Sequence, residues 1–119
     1  MNAITGSLVP HGNLWIECEG QVVLSGWRVA LLEAVAEIGS ISGAAERMQV
    51  DYRVAWKKID EMERGLGAQL VQTRVGGRDG GGAELTPAAA ECIRRYRRFS
   101  AGLDEEVRRR FAEAFADLV

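Results

Sequence analysis

The chain has 119 residues, 27% of them charged, and a net charge of −2. That length sets one domain with at most an appended helix, and the charge argues against indiscriminate binding to nucleic acid. No apolar run approaches the roughly 20 residues of a membrane span, and the opening MNAITGSLVPHG has neither the basic start nor the apolar stretch of a secretory signal. Cytoplasmic residence without a membrane partner is expected. Cys18 and Cys92 are far apart and in no metal-ligand spacing, which predicts reduced, buried thiols and no metal or cofactor. His11, the single histidine, reads as a surface residue.

Residues 1–13 read as flexible. From Leu14 to Ser25 the sequence LWIECEGQVVLS predicts two short strands. Leu14, Ile16 and Cys18 alternate with Trp15, Glu17 and Glu19, and Glu19-Gly20-Gln21 is a turn. A two-stranded hairpin is marginal alone, so it must lean on helices or pair across a dimer.

Three helices follow between Trp27 and Leu66. Trp27, Ala30, Leu31, Ala34, Val35 and Ile38 recur at helical spacing, as do Ile41, Ala44, Ala45 and Met48, and then Ala55, Ile59, Met62 and Leu66. Gly39 closes the first helix, Ser40 or Ser42 caps the second, Asp51 caps the third, and Gly65 and Gly67 end it. Only Gln49 and Val50 separate Met48 from Asp51; so tight a junction reads as a helix-turn-helix. At about 100° per residue the apolar stripe of the third helix faces the core. Arg53, Lys57 and Arg64 project on the other side, with Tyr52 and Trp56 on one shoulder. Arg and Lys reach guanine edges or phosphates, and Tyr donates to phosphate. The rival reading is a solvated charged face, and Asp60 and Glu61 count against DNA at the distal end.

Leu70–Val75 predicts a strand, Gly76–Gly82 a loop with five glycines, one Arg and one Asp, and Ala83–Leu85 the return strand. Thr86 caps the next helix, with Pro87 in its first position. A hairpin directly after a recognition helix is a wing, whose glycines let backbone approach DNA closely; Arg74 and Arg78 supply phosphate or minor-groove contacts. The rivals are a floppy hairpin tip and a nucleotide-phosphate cradle, the latter lacking the GK[ST] it needs. From Pro87 to Leu118 one long helix is expected, with Gly102 its only weak point. Cys92, Tyr96, Phe99, Leu103, Val107, Phe111, Ala114 and Leu118 step by three or four, a seam that calls for a second copy. Tyr96, Phe99, Leu103, Val107 and Phe111 are its dimerisation residues. The Arg runs beside it read as a solvated face.

Charge is distributed unevenly. Residues 1–50 hold five acids and two bases, whereas residues 51–82 hold six bases and five acids, the acids mostly in the second half of the third helix. DNA binding therefore requires local contacts with the acids held away from phosphates.

Together, GSISGAAERM, DYRVAWKKIDEME and LVQTRVGGRDGGGAELT resemble the N-terminal DNA-binding domain of the molybdate-responsive ModE-type transcriptional regulators. More distantly they resemble the winged helix-turn-helix of LysR-type regulators. The resemblance covers about Gly26 to Tyr96, and GGRDGGGAELT is its most specific part. It implies a homodimer on a palindromic duplex DNA operator, with Ser42, Tyr52, Arg53, Trp56, Lys57 and the wing at the interface, Trp56 partly packing. Two departures stand out. Asp51 occupies a position where the family usually has Ser, and its carboxylate would repel a nearby phosphate. The chain ends at Val119, so the family's oxyanion-binding domains, and molybdate sensing with them, are not expected.

The expected fold is mainly α with small β-hairpins: an N-terminal tail and hairpin over 1–25, a winged helix-turn-helix over 26–86 and a dimerisation helix over 87–119. The expected function is sequence-specific regulation of transcription. The alternative is an interaction module that heterodimerises with a related full-length regulator through the C-terminal helix. An enzyme fits badly, with one His and no paired acid beside a nucleophile.

Overall fold

The computed structural model describes residues 3–77 and 80–118, and in it two hairpins bracket a three-helix core. The order is β1 (Trp15–Cys18), β2 (Gln21–Ser25), α1 (Gly26–Ile38), α2 (Ile41–Arg47), α3 (Tyr52–Leu66), β3 (Val71–Gly77), β4 (Gly80–Leu85), α4 (Pro87–Ser100) and α5 (Leu103–Ala114). Strands β1 and β2 pair antiparallel, as do β3 and β4, in two separate sheets. No described helix is long and apolar enough to cross a membrane.

The first hairpin turns through Glu19 (φ 52) and Gly20 (φ 79). Two left-handed residues in succession are what a two-residue type I′ turn requires. The register slips between Ile16 and Glu17. There the simple alternation breaks, and the adjacent Val23 and Leu24 are both buried. The hairpin thus leans on the helices, one of the two supports its sequence demanded.

Local chemistry fixes each helix end. Ser25 Oγ accepts from Arg28 N to start α1, and Gly39 ends it in the left-handed conformation. Of the two candidate caps of α2, Ser40 serves, accepting from Gly43 N at 3.0 Å. Asp51 accepts from Arg53 N at the start of α3, and Gly67 closes that helix. Thr86 Oγ1 accepts from Ala89 N and donates to the Gln69 carbonyl at 2.6 Å, so one hydroxyl both caps α4 and pins the base of the second hairpin. Ala83 N donates to the Gly39 carbonyl at 2.8 Å, fastening β4 to the α1–α2 corner.

The core is one cluster. It combines Leu31, Leu32 and Val35 from α1, Ile41, Ala44 and Ala45 from α2, Ala55, Ile59 and Met62 from α3, and Val23, Leu70, Ala89 and Tyr96 from the surrounding elements. Alanines at 44, 45 and 55 leave no side-chain bulk between helices, which is how so short a helix as α2 packs on both its neighbours.

Several expectations need correction. The long helix is interrupted. Ala101 is extended and Gly102 lies at φ 79, so α4 ends at Ser100 and α5 begins at Leu103. Tyr96 is not on an open seam. It is buried in its own protomer, and its hydroxyl donates to the Leu14 carbonyl at 2.8 Å. Within the stretch read as a loop over Gly76–Gly82, β3 extends to Gly77, β4 starts at Gly80, and Gly77 lies opposite Gly80. Cys18 is exposed and Cys92 only half-buried, where burial pushes its thiol up. At the end of the tail, Gly12 lies beside Leu103 and Val107 of α5.

Gly65 does not end α3; it lies inside it. A Cβ there would stand 2.3 Å from Val23 Cγ1, so glycine is what lets β2 approach the helix. Gly65→Ala should therefore destabilise the fold by about 1 kcal/mol, because the helix-propensity gain of about 1 kcal/mol is outweighed by an overpacking cost of about 1–3 kcal/mol. Chemical denaturation measures this, and a more stable variant would mean that Val23 has room to yield.

Candidate nucleic-acid interface

The rotation of α3 is set by Ala55, Ile59 and Met62, all fully buried. Arg53 and Lys57 consequently stand on the exposed side, and Tyr52 lies beside β3 and β4. Tyr52 is 48% exposed, and its ring meets that of the half-buried Trp56 edge to face, with centroids 6.4 Å apart. Trp56 also packs against the hydrophobic core.

Ser42, Tyr52 and Arg74 come together. They line one groove of about 480 Å³ with Ser40, Ile41, Thr73 and Gly81 to Ala83. The groove runs between the start of α2, the start of α3 and the second hairpin. Its floor depends on Gly82, where a Cβ would stand 2.8 Å from Arg74 Nη2; the guanidinium lies across bare backbone. Arg53 and Lys57 continue the cationic surface from this groove along the outer side of α3. Arg78, also expected at the interface, lies outside the described residues.

The acids of α3 are all engaged. Asp60 pairs with Arg64 at 3.0 Å. Glu61 Oε2 accepts from Arg28 Nη2 at 2.8 Å, with Lys58 Nζ 3.9 Å away. The Arg28 hydrogen bond, ahead of the nearby lysines, holds the Glu61 carboxyl below the usual carboxylate range. Glu63 Oε2 accepts from Leu70 N at 2.8 Å and Val71 N at 3.2 Å, seating the second hairpin on α3. Glu61 therefore turns towards α1, contrary to the expectation that it burdens the outer face. Among the described residues, Arg53, Lys57 and Arg74 take part in none of the ion pairs. Sequence reasoning missed Arg28 and Glu63. A lone Arg in an apolar helix and an acid eight residues before the hairpin's first strand were the available signals.

Most arginines of α4 and α5 are occupied. Glu91 pairs with Arg94 and Arg95, Glu33 with Arg97, and Glu106 with Arg109 and Arg110. Hydrogen bonds from Arg109 and then Arg110 hold the Glu106 carboxyl down to about 2. This balanced surface fits a solvated charged face. Among the described residues, Arg53, Lys57 and Arg74 are thus free of ion pairs at α3 and the second hairpin, as are Arg98 and Arg108 in α4 and α5.

A family model described as "Bacterial regulatory helix-turn-helix protein, lysR family" matches residues 28–90, just over half of the chain. The chain belongs to this family. Its likeness to ModE-type proteins is also borne out. The molybdenum-pterin-binding protein MopB of Rhodobacter capsulatus is 43% identical over 76 residues, which cover 64% of this chain and 28% of MopB. The DNA-binding transcriptional dual regulator ModE of Escherichia coli (strain K12) is 39% identical over 69 residues, 58% of this chain and 26% of ModE. The chain spans about a quarter of the length of these relatives. In the crystal structure of a CbnR_DBD–DNA complex, a protein chain superposes with a TM-score of 0.58 at 26% identity, over 73% of this chain and 94% of that one. The BenM_DBD/catB site 1 DNA complex gives 0.54 at 23% identity, over 71% and 91%, and speaks for the fold. The fold of this LysR-family chain is thus a winged helix-turn-helix, with β3 and β4 as the wing.

Proposed function

We propose that this LysR-family chain is a sequence-specific, DNA-binding transcriptional regulator, a cytoplasmic binding protein and not an enzyme. The carrying observation is electrostatic. Arg53, Lys57 and Arg74 are exposed and unpaired among the described residues, around a groove shared with Ser42 and Tyr52, while every acid of α3 is paired or hydrogen-bonded to another group. In this reading α3 enters the major groove, Arg53 and Lys57 reach base edges, and Ser42, Tyr52, Arg74 and the Arg78 hairpin tip hold the backbone. A net charge of −2 suits a protein that binds through one local face. Selection of bound sequences from random duplex DNA tests the proposal. A palindromic consensus is the expected result, and no enrichment over repeated rounds would overturn it.

The operator-binding unit in this proposal is a homodimer held through α4 and α5. Helix α5 has 12 residues and buries none of them. An isolated helix of that length is marginal in water, yet this one carries Leu103, Val107 and Phe111 on one side, continuing from Phe99, which is 53% exposed. Gly12 covers only part of Leu103 and Val107, so a second copy is the natural cover for the rest. Two recognition helices would then lie about 34 Å apart, one turn of duplex. Light scattering at micromolar concentration should give twice 13.0 kDa, and Leu103→Glu should shift the mass to that of a monomer. A wild-type chain that stays monomeric removes the two-half-site mechanism.

A further inference from the structure

Glu61 is the α3 acid whose release would most disturb the proposed DNA surface. It follows Lys57 by four residues, which places it one turn along and about 40° round the helix axis. A carboxylate at that spacing is a side-chain neighbour of the lysine. Free to turn outward, it would either pair with Lys57 or face the phosphates. Its side chain is 37% exposed, so solvent is open to it.

What prevents this is a residue from α1. Arg28 is only 8% exposed, and arginine is almost never buried unless paired. Its Nη2 donates to Glu61 Oε2 at 2.8 Å, and its Nη1 to the Lys58 carbonyl at 3.4 Å. Its backbone N–H donates to Ser25 Oγ at 3.2 Å, so the residue is fixed at both ends. Lys58 Nζ, half-exposed and 3.9 Å from Glu61, offers no comparable hold.

We infer that Arg28 is a positioning residue for DNA binding: a built-in counter-ion that keeps the Glu61 carboxylate on the α1 side of the recognition helix and leaves Lys57 free for DNA. The inference rests on the DNA-binding reading above. Arg28 touches no DNA in this scheme; it acts through Glu61. It accounts for one of the three acids in the distal half of α3; Asp60 is neutralised by Arg64 and Glu63 is held by the Leu70 and Val71 amides.

The test uses the whole chain, a duplex selected by the wild type, and a random duplex of equal length. Arg28→Gln should weaken binding to both duplexes about fivefold, the factor that one like-charge contact in water is worth. Adding Glu61→Gln should restore wild-type affinity, because the released carboxylate is then gone. Arg28→Lys, which keeps the charge, should bind close to wild type. A merely structural pair would lower the melting temperature in Arg28→Gln and in the double variant alike, and leave DNA affinity unchanged wherever both are folded. A folded Arg28→Gln that binds like wild type overturns the inference, as does a double variant no better than the single. Should Arg28→Gln fail to fold, Glu61→Gln alone decides. A masked carboxylate predicts no change on its removal, and a several-fold gain in affinity would show that it was never masked. Failure of the wild type to bind any duplex sinks the DNA reading itself, a result distinct from variants that bind as well as wild type.

Discussion

Ile59→Ala should lower the unfolding free energy by about 3–4 kcal/mol, within the range for large-to-small changes in a sealed core. Ile59 is fully buried at the centre of the stripe that turns α3 against α1 and α2. Its removal deletes apolar contacts and leaves a cavity that Leu31, Leu32 and Met62 cannot collapse without moving helices. Against a total of about 5–15 kcal/mol for a domain, such a loss is severe. Urea denaturation at fixed protein concentration measures it as a lower midpoint with an unchanged slope. Concentration must be held constant because any dimer stabilises the folded chain by mass action. A loss under about 1 kcal/mol would mean that α3 is not seated as described, and the assignment of Arg53 and Lys57 to its outer side would go with it.

That dependence of face on core is why so much of the site was legible in the sequence. A 3.6-residue period fixes which side of α3 is buried, and hence which side carries Arg53 and Lys57, without knowing its partners. Capping is equally local: Ser40, Asp51 and Thr86 each reach a backbone N–H two or three residues ahead, so the helix starts could be read directly. The break at Gly102 was harder. One glycine costs a helix only about 1 kcal/mol, and the apolar step of three or four runs across it without a lapse. Its φ of 79 depends on how the tail and α4 pack. The wing strands were underestimated because glycine has little strand propensity of its own, yet Gly77 lies opposite Gly80 beyond a register irregularity after Arg74. Cys18 was expected to be a buried thiol, but it pairs with Gln21 next to the hairpin turn and is exposed. Arg28 and Glu61 are 33 residues apart, and nothing local announces a bond between them. This misreading bears on the proposed function, since an acid counted against DNA binding is held on the α1 side.

Arg53→Ala and Lys57→Ala should each cost roughly 1–3 kcal/mol on the selected operator and far less on random duplex, as expected where base-edge contacts are lost. Both side chains leave the exposed side of α3 within its first two turns, the part of a recognition helix that sits deepest in the major groove. Arg74→Ala should behave differently. Its guanidinium lies over Gly82 in the groove between α2 and the wing, where backbone phosphate is the natural ligand. Losing it should weaken operator and random duplex by similar factors and reduce the salt slope by about one unit. Asp51 sits at the same end of α3, exposed, with its carboxylate accepting from Arg53 N at 3.4 Å. Asp51→Ser should tighten binding to both duplexes, because a hydroxyl keeps the cap, removes a charge that repels phosphate and adds a donor. Titrations of the four variants at several salt concentrations separate these roles. If Arg53→Ala and Lys57→Ala bind operator and random DNA in the wild-type ratio, α3 is not the element that reads sequence. The cations around Arg74 would then mark a surface that grips duplex without choosing among sites, and the palindrome would have to be read elsewhere.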